Sequence, residues 1–141
     1  VTSPRDFEAA EKLGARFAVS PGATAELMAT AQTSKLPFLP GISTASELMA
    51  VLNAGFDIVK LFPAVPVGGL ALLRALAGPF PSVLFCPTGG IGEGNFSEWL
   101  KEPNVIAAGG SWLCPASAVV KGDWAAITEI ARRSMAKLAP G

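Results

Sequence analysis

The sequence predicts an α/β fold built on a parallel sheet, and three observations carry that prediction. Five short apolar runs rich in Val, Ile, Phe and Leu recur at "FAVSPG" (17–22), "FLPGIS" (38–43), "IVKLFP" (58–63), "VLFCPTGG" (83–90) and "VIAAGGS" (105–111). Their starts lie about 20 to 25 residues apart, the spacing of one strand plus one helix. Each run is near-continuously apolar, closes on Pro or Gly and gives way to a helical pattern, as expected of parallel strands covered by helices. Half of the 141 residues are hydrophobic and the mean hydropathy is +0.45, enough apolar material for one well-buried core. A single α/β domain over residues 1–141 is therefore expected, without a linker or low-complexity tract.

The helices follow from their end signals. Ser3, Pro4 and Asp6 read as an N-cap, a first-turn proline and a capping acid ahead of Phe7, Ala10 and Leu13, with Gly14 as the stop. Thr44 and Glu47 form a capping box before Leu48, Met49, Val51 and Leu52, and Gly55 ends that helix. Further helices are expected after Thr24, Gly69 and Asn95, and a long amphipathic one from about Asp123 to Leu138 before Pro140-Gly141. Two arrangements suit this order: an open doubly wound sheet, or part of a (β/α)₈ barrel. A complete barrel usually needs about 250 residues, which favours the open sheet. Functional-looking residues at the C-terminal ends of all five runs, rather than at one switch point, favour the barrel.

Composition narrows the chemistry. Lys+Arg and Asp+Glu balance at 11 each, so no basic excess points to nucleic acid or a membrane surface, and a small, locally bound ligand is expected. No apolar run reaches the roughly 20 residues of a membrane span. Two cysteines, Cys86 and Cys114, and no leader pattern suit a cytoplasmic, reducing setting. Absence of histidine removes the commonest metal ligand and the usual general base, so neither a metal site nor Ser-His or Cys-His hydrolysis is expected.

One residue breaks the apolar pattern. Along "IVKLF", period-two alternation puts Ile58, Lys60 and Phe62 on one face and Val59 with Leu61 on the other. Lys60 is either a strand-end lysine whose stem packs while its ammonium reaches water, or an amine that desolvation keeps uncharged and able to attack a ketone as a Schiff base. Two glycine turns follow the last two strands, Thr88-Gly89-Gly90 and Gly109-Gly110-Ser111. Consecutive glycines let backbone N–H groups approach an anion, and a following helix would add its dipole. Paired turns of this kind match the phosphate site common in (β/α)₈ enzymes. Cys86 and Cys114 read as small buried hydrophobes, Trp99, Trp112 and Trp124 as core or interface residues, and Pro21, Pro40 and Pro63 as strand stops.

Taken together, "VSPG", "LPGISTASELM", "VKLFPA", "RALAGPF", "LFCPTGGI" and "GGSWL", in order along essentially the whole chain, resemble the class I aldolases for 2-keto-3-deoxy-6-phosphogluconate (KDPG) and 4-hydroxy-2-oxoglutarate (KHG). The resemblance implies a homotrimeric (β/α)₈ barrel that cleaves KDPG reversibly to pyruvate and glyceraldehyde 3-phosphate in the Entner–Doudoroff pathway, with no metal or cofactor. It implies that Lys60 is the Schiff-base lysine. Pro21, Phe62 and Thr88 would line the pyruvate end, and Gly89, Gly90, Gly110 and Ser111 the phosphate pocket. It further implies that this chain carries strands four to eight with their helices. The family's general acid/base glutamate, and an arginine and a threonine that contact the pyruvate carboxylate, belong to earlier strands and have no counterpart here. A noncatalytic sugar-phosphate-binding or assembly module and the related 6-phosphogalactonate aldolase are the alternatives.

Overall fold

The computed structural model describes residues 1–138, so the expected Pro140-Gly141 stop lies outside the described residues. Helix and strand alternate as expected through the run at 83–90, apart from a divided strand at 38–43. Pro4–Lys12 (α1) opens on Ser3, whose hydroxyl accepts from the Asp6 N–H, while the Asp6 carboxylate accepts from the backbone and hydroxyl of Thr2. Ala25–Thr33 (α2) is capped by Thr24. In Ala45–Asn53 (α3) the full capping box forms: Thr44 accepts from the Glu47 N–H and the Glu47 carboxylate accepts from the Thr44 N–H. Gly14 and Gly55 end α1 and α3 with positive φ, which only glycine adopts without penalty. Gly69–Ala77 (α4), Phe96–Trp99 (α5), Ala116–Lys121 (α6) and Trp124–Ala136 (α7) complete the helices among the described residues, with a 3₁₀ turn at Ser111–Leu113.

Among the described residues all strand pairing is parallel. Ala18–Val19 (β1) pairs with Phe38–Leu39 (β2); Gly41–Ile42 (β3) pairs with Ile58–Leu61 (β4), and β4 with Leu84–Phe85 (β5). Isolated bridges Phe85↔Val105 and Thr88↔Gly109 continue this order to the fifth run. Among the described residues the pairing falls into two sheets, β1-β2 and β3-β4-β5, with β2 and β3 following one another along a single run rather than pairing. The α/β class with parallel strands is as the sequence predicts.

Several expectations are corrected. The run at 38–43 is not one strand: Pro40, which has no N–H to give a ladder, divides β2 facing β1 from β3 facing β4. The run at 105–111 pairs only at its two bridges. The helix after Asn95 is one turn long, and α6, between Pro115 and the left-handed Gly122, was not foreseen. Leu13 lies just past the end of α1 and is exposed rather than packed, and Cys114 and Trp124 are exposed too.

The main core gathers Ile42, Leu48, Val51, Val59, Leu61, Leu73 and Phe85 between the sheet and helices α3 and α4. A smaller cluster of Phe7, Ala18, Leu27, Ala31 and Leu36 seals α1 and α2 onto β1. Phe38 joins the two, edge-on to Phe7 and to Phe56 at 5.5 Å each, the T-shaped geometry that ring quadrupoles favour.

Candidate active site

Alternation along β4 acts as the sequence predicts. Val59 and Leu61 are wholly buried in the helix-facing core, while Ile58, Lys60 and Phe62 share the other, more open face. The backbone around Lys60 is fixed from both sides: its N–H donates to the Pro40 carbonyl at 2.8 Å and that of Phe62 to Ile42 at 2.9 Å, while Cys86 and Thr88 donate across to Val59 and Leu61. A nucleophile on such a strand is held in place by the ladder rather than by its own flexible stem.

The Lys60 side chain is half-buried, with Nζ 4.4 Å from the centre of the Phe62 ring. Burial pushes its pKa below the ordinary lysine value, against the opposing charge that the Cys86 thiol would carry if ionised. The Phe62 ring face, attractive to an ammonium but not to a neutral amine, acts in the same direction as the thiol. Cys86 continues the Val59↔Phe85 register by one residue and so lies beside Lys60 on the adjacent strand. Burial raises its thiol pKa, against a hydrogen bond with Thr88 and the charge of Lys60, which keeps the sulfur protonated and a poor nucleophile. Sequence reading finds Cys86 only as a small hydrophobe, since its proximity to Lys60 is set by strand register over 26 positions.

Other expected residues fall along the same C-terminal rim of the sheet. Gly41, the register partner of Lys60, lies so close beneath Pro21 that a Cβ there would overlap the Pro21 carbonyl group. Pro21 is thereby brought to within one strand of the lysine, although it is itself exposed. After β4 and β5 the two loops are laced together: Ala64 and Val65 donate to the carbonyls of Thr88 and Gly89. A Cβ on Gly90 would meet the Val65 side chain at 2.6 Å, and Gly90 has φ 78°. Thr88 in turn packs against Gly109, where a Cβ would lie 2.7 Å from its hydroxyl, and Gly110 packs against the Ile91 carbonyl. Lys60 and Phe62 are thus in contact, Thr88 and Gly89 are bonded to the loop after β4, and Gly110 lies against Ile91, the residue after Gly90, with Ser111 exposed.

Backbone N–H groups of Gly90, Gly110 and Ser111 make no hydrogen bond to another described residue. The expected helix dipole is not part of this arrangement, because α5 begins six residues after Gly90 and Ser111 opens only one 3₁₀ turn. Loop amides, not a helix end, are what the two turns offer an anion. A separate apolar cavity of about 410 Å³, lined by Phe96, Ile106, Trp112, Met135 and Leu138 among others, lies behind the second turn and does not include Lys60. Among the described residues no group of three His, Cys, Asp or Glu side chains is placed to hold a metal ion, and no helix is long and apolar enough to cross a membrane.

Comparisons with known proteins point to one family. The 2-dehydro-3-deoxy-phosphogluconate aldolase of Pseudomonas aeruginosa is 46% identical over 139 residues, covering 99% of this chain and 63% of that protein. The KHG/KDPG aldolase of Escherichia coli is 44% identical over 135 residues, 96% of this chain and 63% of the relative. Among solved structures, the KDPG aldolase of Legionella pneumophila with pyruvate captured as a covalent carbinolamine superposes with a TM-score of 0.90 at 46% identity, over 92% of this chain and 63% of that one. A native KDPGal structure matches with a TM-score of 0.75 at 26% identity. The chain therefore spans a little under two thirds of the length of these curated relatives. The family profile for KDPG and KHG aldolase matches residues 1–130, and with relatives this similar over nearly all of its length, the chain belongs to that family.

Proposed function

We propose that the chain supplies the Schiff-base half of a class I aldolase that cleaves a phosphorylated 2-keto-3-deoxy sugar acid, of the KDPG type, to pyruvate and glyceraldehyde 3-phosphate, with KHG as a second substrate. The observation that carries this reading is the placement of Lys60. It is the one lysine in a described strand, half-buried at the C-terminal rim, in a chain that superposes closely on an aldolase with pyruvate covalently captured.

Chemically, the neutral Lys60 amine adds to the C2 ketone to give a carbinolamine, which loses water to leave an iminium. The bond between C3 and C4 then breaks as the C4 hydroxyl loses its proton; C4 leaves as the aldehyde and the electron pair of the broken bond flows toward the iminium nitrogen, giving an enamine. Protonation at C3 and hydrolysis release pyruvate and restore the amine. Lowering the pKa of Lys60 by burial assists the first step, because only the unprotonated amine carries a lone pair. Phe62, Thr88 and, across Gly41, Pro21 would bound the keto-acid end. Amides of Gly90, Gly110 and Ser111, in the turns containing Gly89 and Gly109, would meet the phosphate. The base for the C4 hydroxyl would come from the third of the relatives' length that this chain does not span, as would closure of the parallel strands into a (β/α)₈ barrel and assembly of a cytoplasmic trimer. Higher identity to the gluconate enzymes than to the KDPGal structure favours the gluconate epimer.

Borohydride reduction in the presence of pyruvate tests this. One reduced pyruvate should be found on Lys60 by peptide mass, and Lys60→Ala should carry none. An adduct-free wild-type chain would leave the noncatalytic binding module as the better reading.

A further inference from the structure

Trp112 lies outside the residues assigned above, yet three separate contacts converge on it. Its six-membered ring folds back beneath Gly110, two residues earlier, so closely that a Cβ on Gly110 would overlap the ring. The indole stacks on Phe96, with centroids 5.4 Å apart and planes at 29°. Its Nε1–H donates to the Ser134 hydroxyl of α7 at 3.2 Å, and Ser134 is one of the few buried polar residues. Phe96 itself is tied to the first turn through its neighbour Asn95, whose Oδ1 accepts from the Gly92 N–H and whose Nδ2 donates to the Gly90 carbonyl. A continuous path therefore runs from Gly90 through Asn95 and Phe96 to Trp112 and Gly110. The segment 105–111 needs such a path, since only two bridges join it to the sheet.

From these contacts we infer that Trp112 is a positioning residue for the anion site: it holds the turn at Gly110-Ser111 in fixed relation to the turn at Gly90, so that their free amides converge. This rests on the phosphate reading given above. Misplacing convergent donors by about 1 Å is enough to weaken an oriented interaction by up to about 100-fold, whereas Lys60, on the hydrogen-bonded strand β4, would be little disturbed.

The test uses inorganic phosphate as the probe, followed through the ¹⁵N–¹H resonances of Gly90, Gly110 and Ser111 in the full 141-residue chain, beside borohydride trapping of pyruvate on Lys60. In the unaltered chain the three amides should shift and saturate together. Trp112→Ala should raise the phosphate Kd about tenfold or more while the trapping rate changes less than about twofold. Trp112→Phe, which keeps a ring over Phe96 but loses the N–H, should fall between. Ser134→Ala, which removes only the acceptor, should weaken phosphate about threefold and decides the matter should Trp112→Ala fail to fold. If phosphate shifts none of these amides in the unaltered chain, the phosphate reading fails and this inference with it. If phosphate binds the unaltered chain and the variants equally well, only the role of Trp112 is overturned. The same holds if trapping falls in step with phosphate affinity, for then Trp112 merely holds the fold.

Discussion

The strands at the centre of the sheet and the segment beyond residue 105 are built on different principles. Around β4, every residue on the helix-facing side is fully buried, and the strand is bonded on both edges. Beyond residue 105, α6 buries no side chain, α7 buries only Ser134, and Val120, Trp124 and Met135 stand more than half exposed. The first region holds Lys60 by the ladder and the core. The second holds its glycine turn by a few specific side-chain contacts, Trp112 foremost. The strand that carries Lys60 and the turn at Gly110 are in this way supported by different means, and perturbing one need not perturb the other.

The sharpest way to break the contrast is to cut into each region in turn. Phe85→Ala, at a fully buried position, should cost about 3–5 kcal/mol by urea denaturation, combining lost transfer energy with a residual cavity. Trp124→Ala, although it removes a larger side chain, should stay within about 0.5 kcal/mol because that ring is mostly in water already. Equal losses would refute the division.

Next in size is the pH response of Lys60. Burial lowers its pKa, so its neutral fraction should climb tenfold per pH unit and level off below the roughly 10.4 of an ordinary lysine. Rates of reductive methylation at Lys60, compared with N-acetyl-lysine, would give the value, and levelling at or above the free amine would contradict it. A lysine whose pKa is depressed in the folded state contributes stability that is present above its unfolded pKa and lost as pH falls through its folded one.

Smaller effects come from local features. Thr44→Ala removes one half of the capping box of α3 and should cost about 1 kcal/mol in the same denaturation experiment. Burial raises the Glu47 pKa, but hydrogen bonds from Ser43 and Thr44 outweigh it and leave the carboxyl below its usual range. The cap should therefore weaken further as pH drops through that lowered value. Least affected should be Glu93→Gln, which removes the partner of Arg133 and Lys137 on the face of α7. Exposed pairs are screened at physiological salt, so the denaturation midpoint should not move beyond experimental scatter.

What could be read from the chain depended on how local the cause was. Ser3, Thr24 and Thr44 cap helices through contacts three residues away, so their patterns are complete in the sequence. The alternation at Val59, Lys60 and Leu61 is equally local, and it pointed to the right face. Pro40 announced a break, but only the register of two different neighbours turned one apolar run into β2 and β3. The helix α6 carried a usable signal, Pro115 before it and a left-handed Gly122 after it; the weakly apolar stretch between them hid it. Nonlocal facts stayed out of reach, among them the approach of Cys86 to Lys60 and the bond from Trp112 to Ser134, which join residues 26 and 22 positions apart. The glycine turns were found from paired glycines just after two apolar runs, while the origin of their free donors, loop amides instead of a helix end, came from geometry.

The three tryptophans occupy three distinct optical environments. Trp99 is sealed in the core, Trp124 is bathed in water, and Trp112 is stacked on a phenyl ring with its N–H tied to a hydroxyl. Indole emission moves to longer wavelength as its surroundings become more polar, and soluble quenchers reach only exposed rings. Acrylamide should therefore silence Trp124 first and leave a spectrum dominated by the other two. Any remaining change in colour or lifetime when an anion settles between the glycine turns would then report on Trp112, giving the chain a built-in gauge of its own loop.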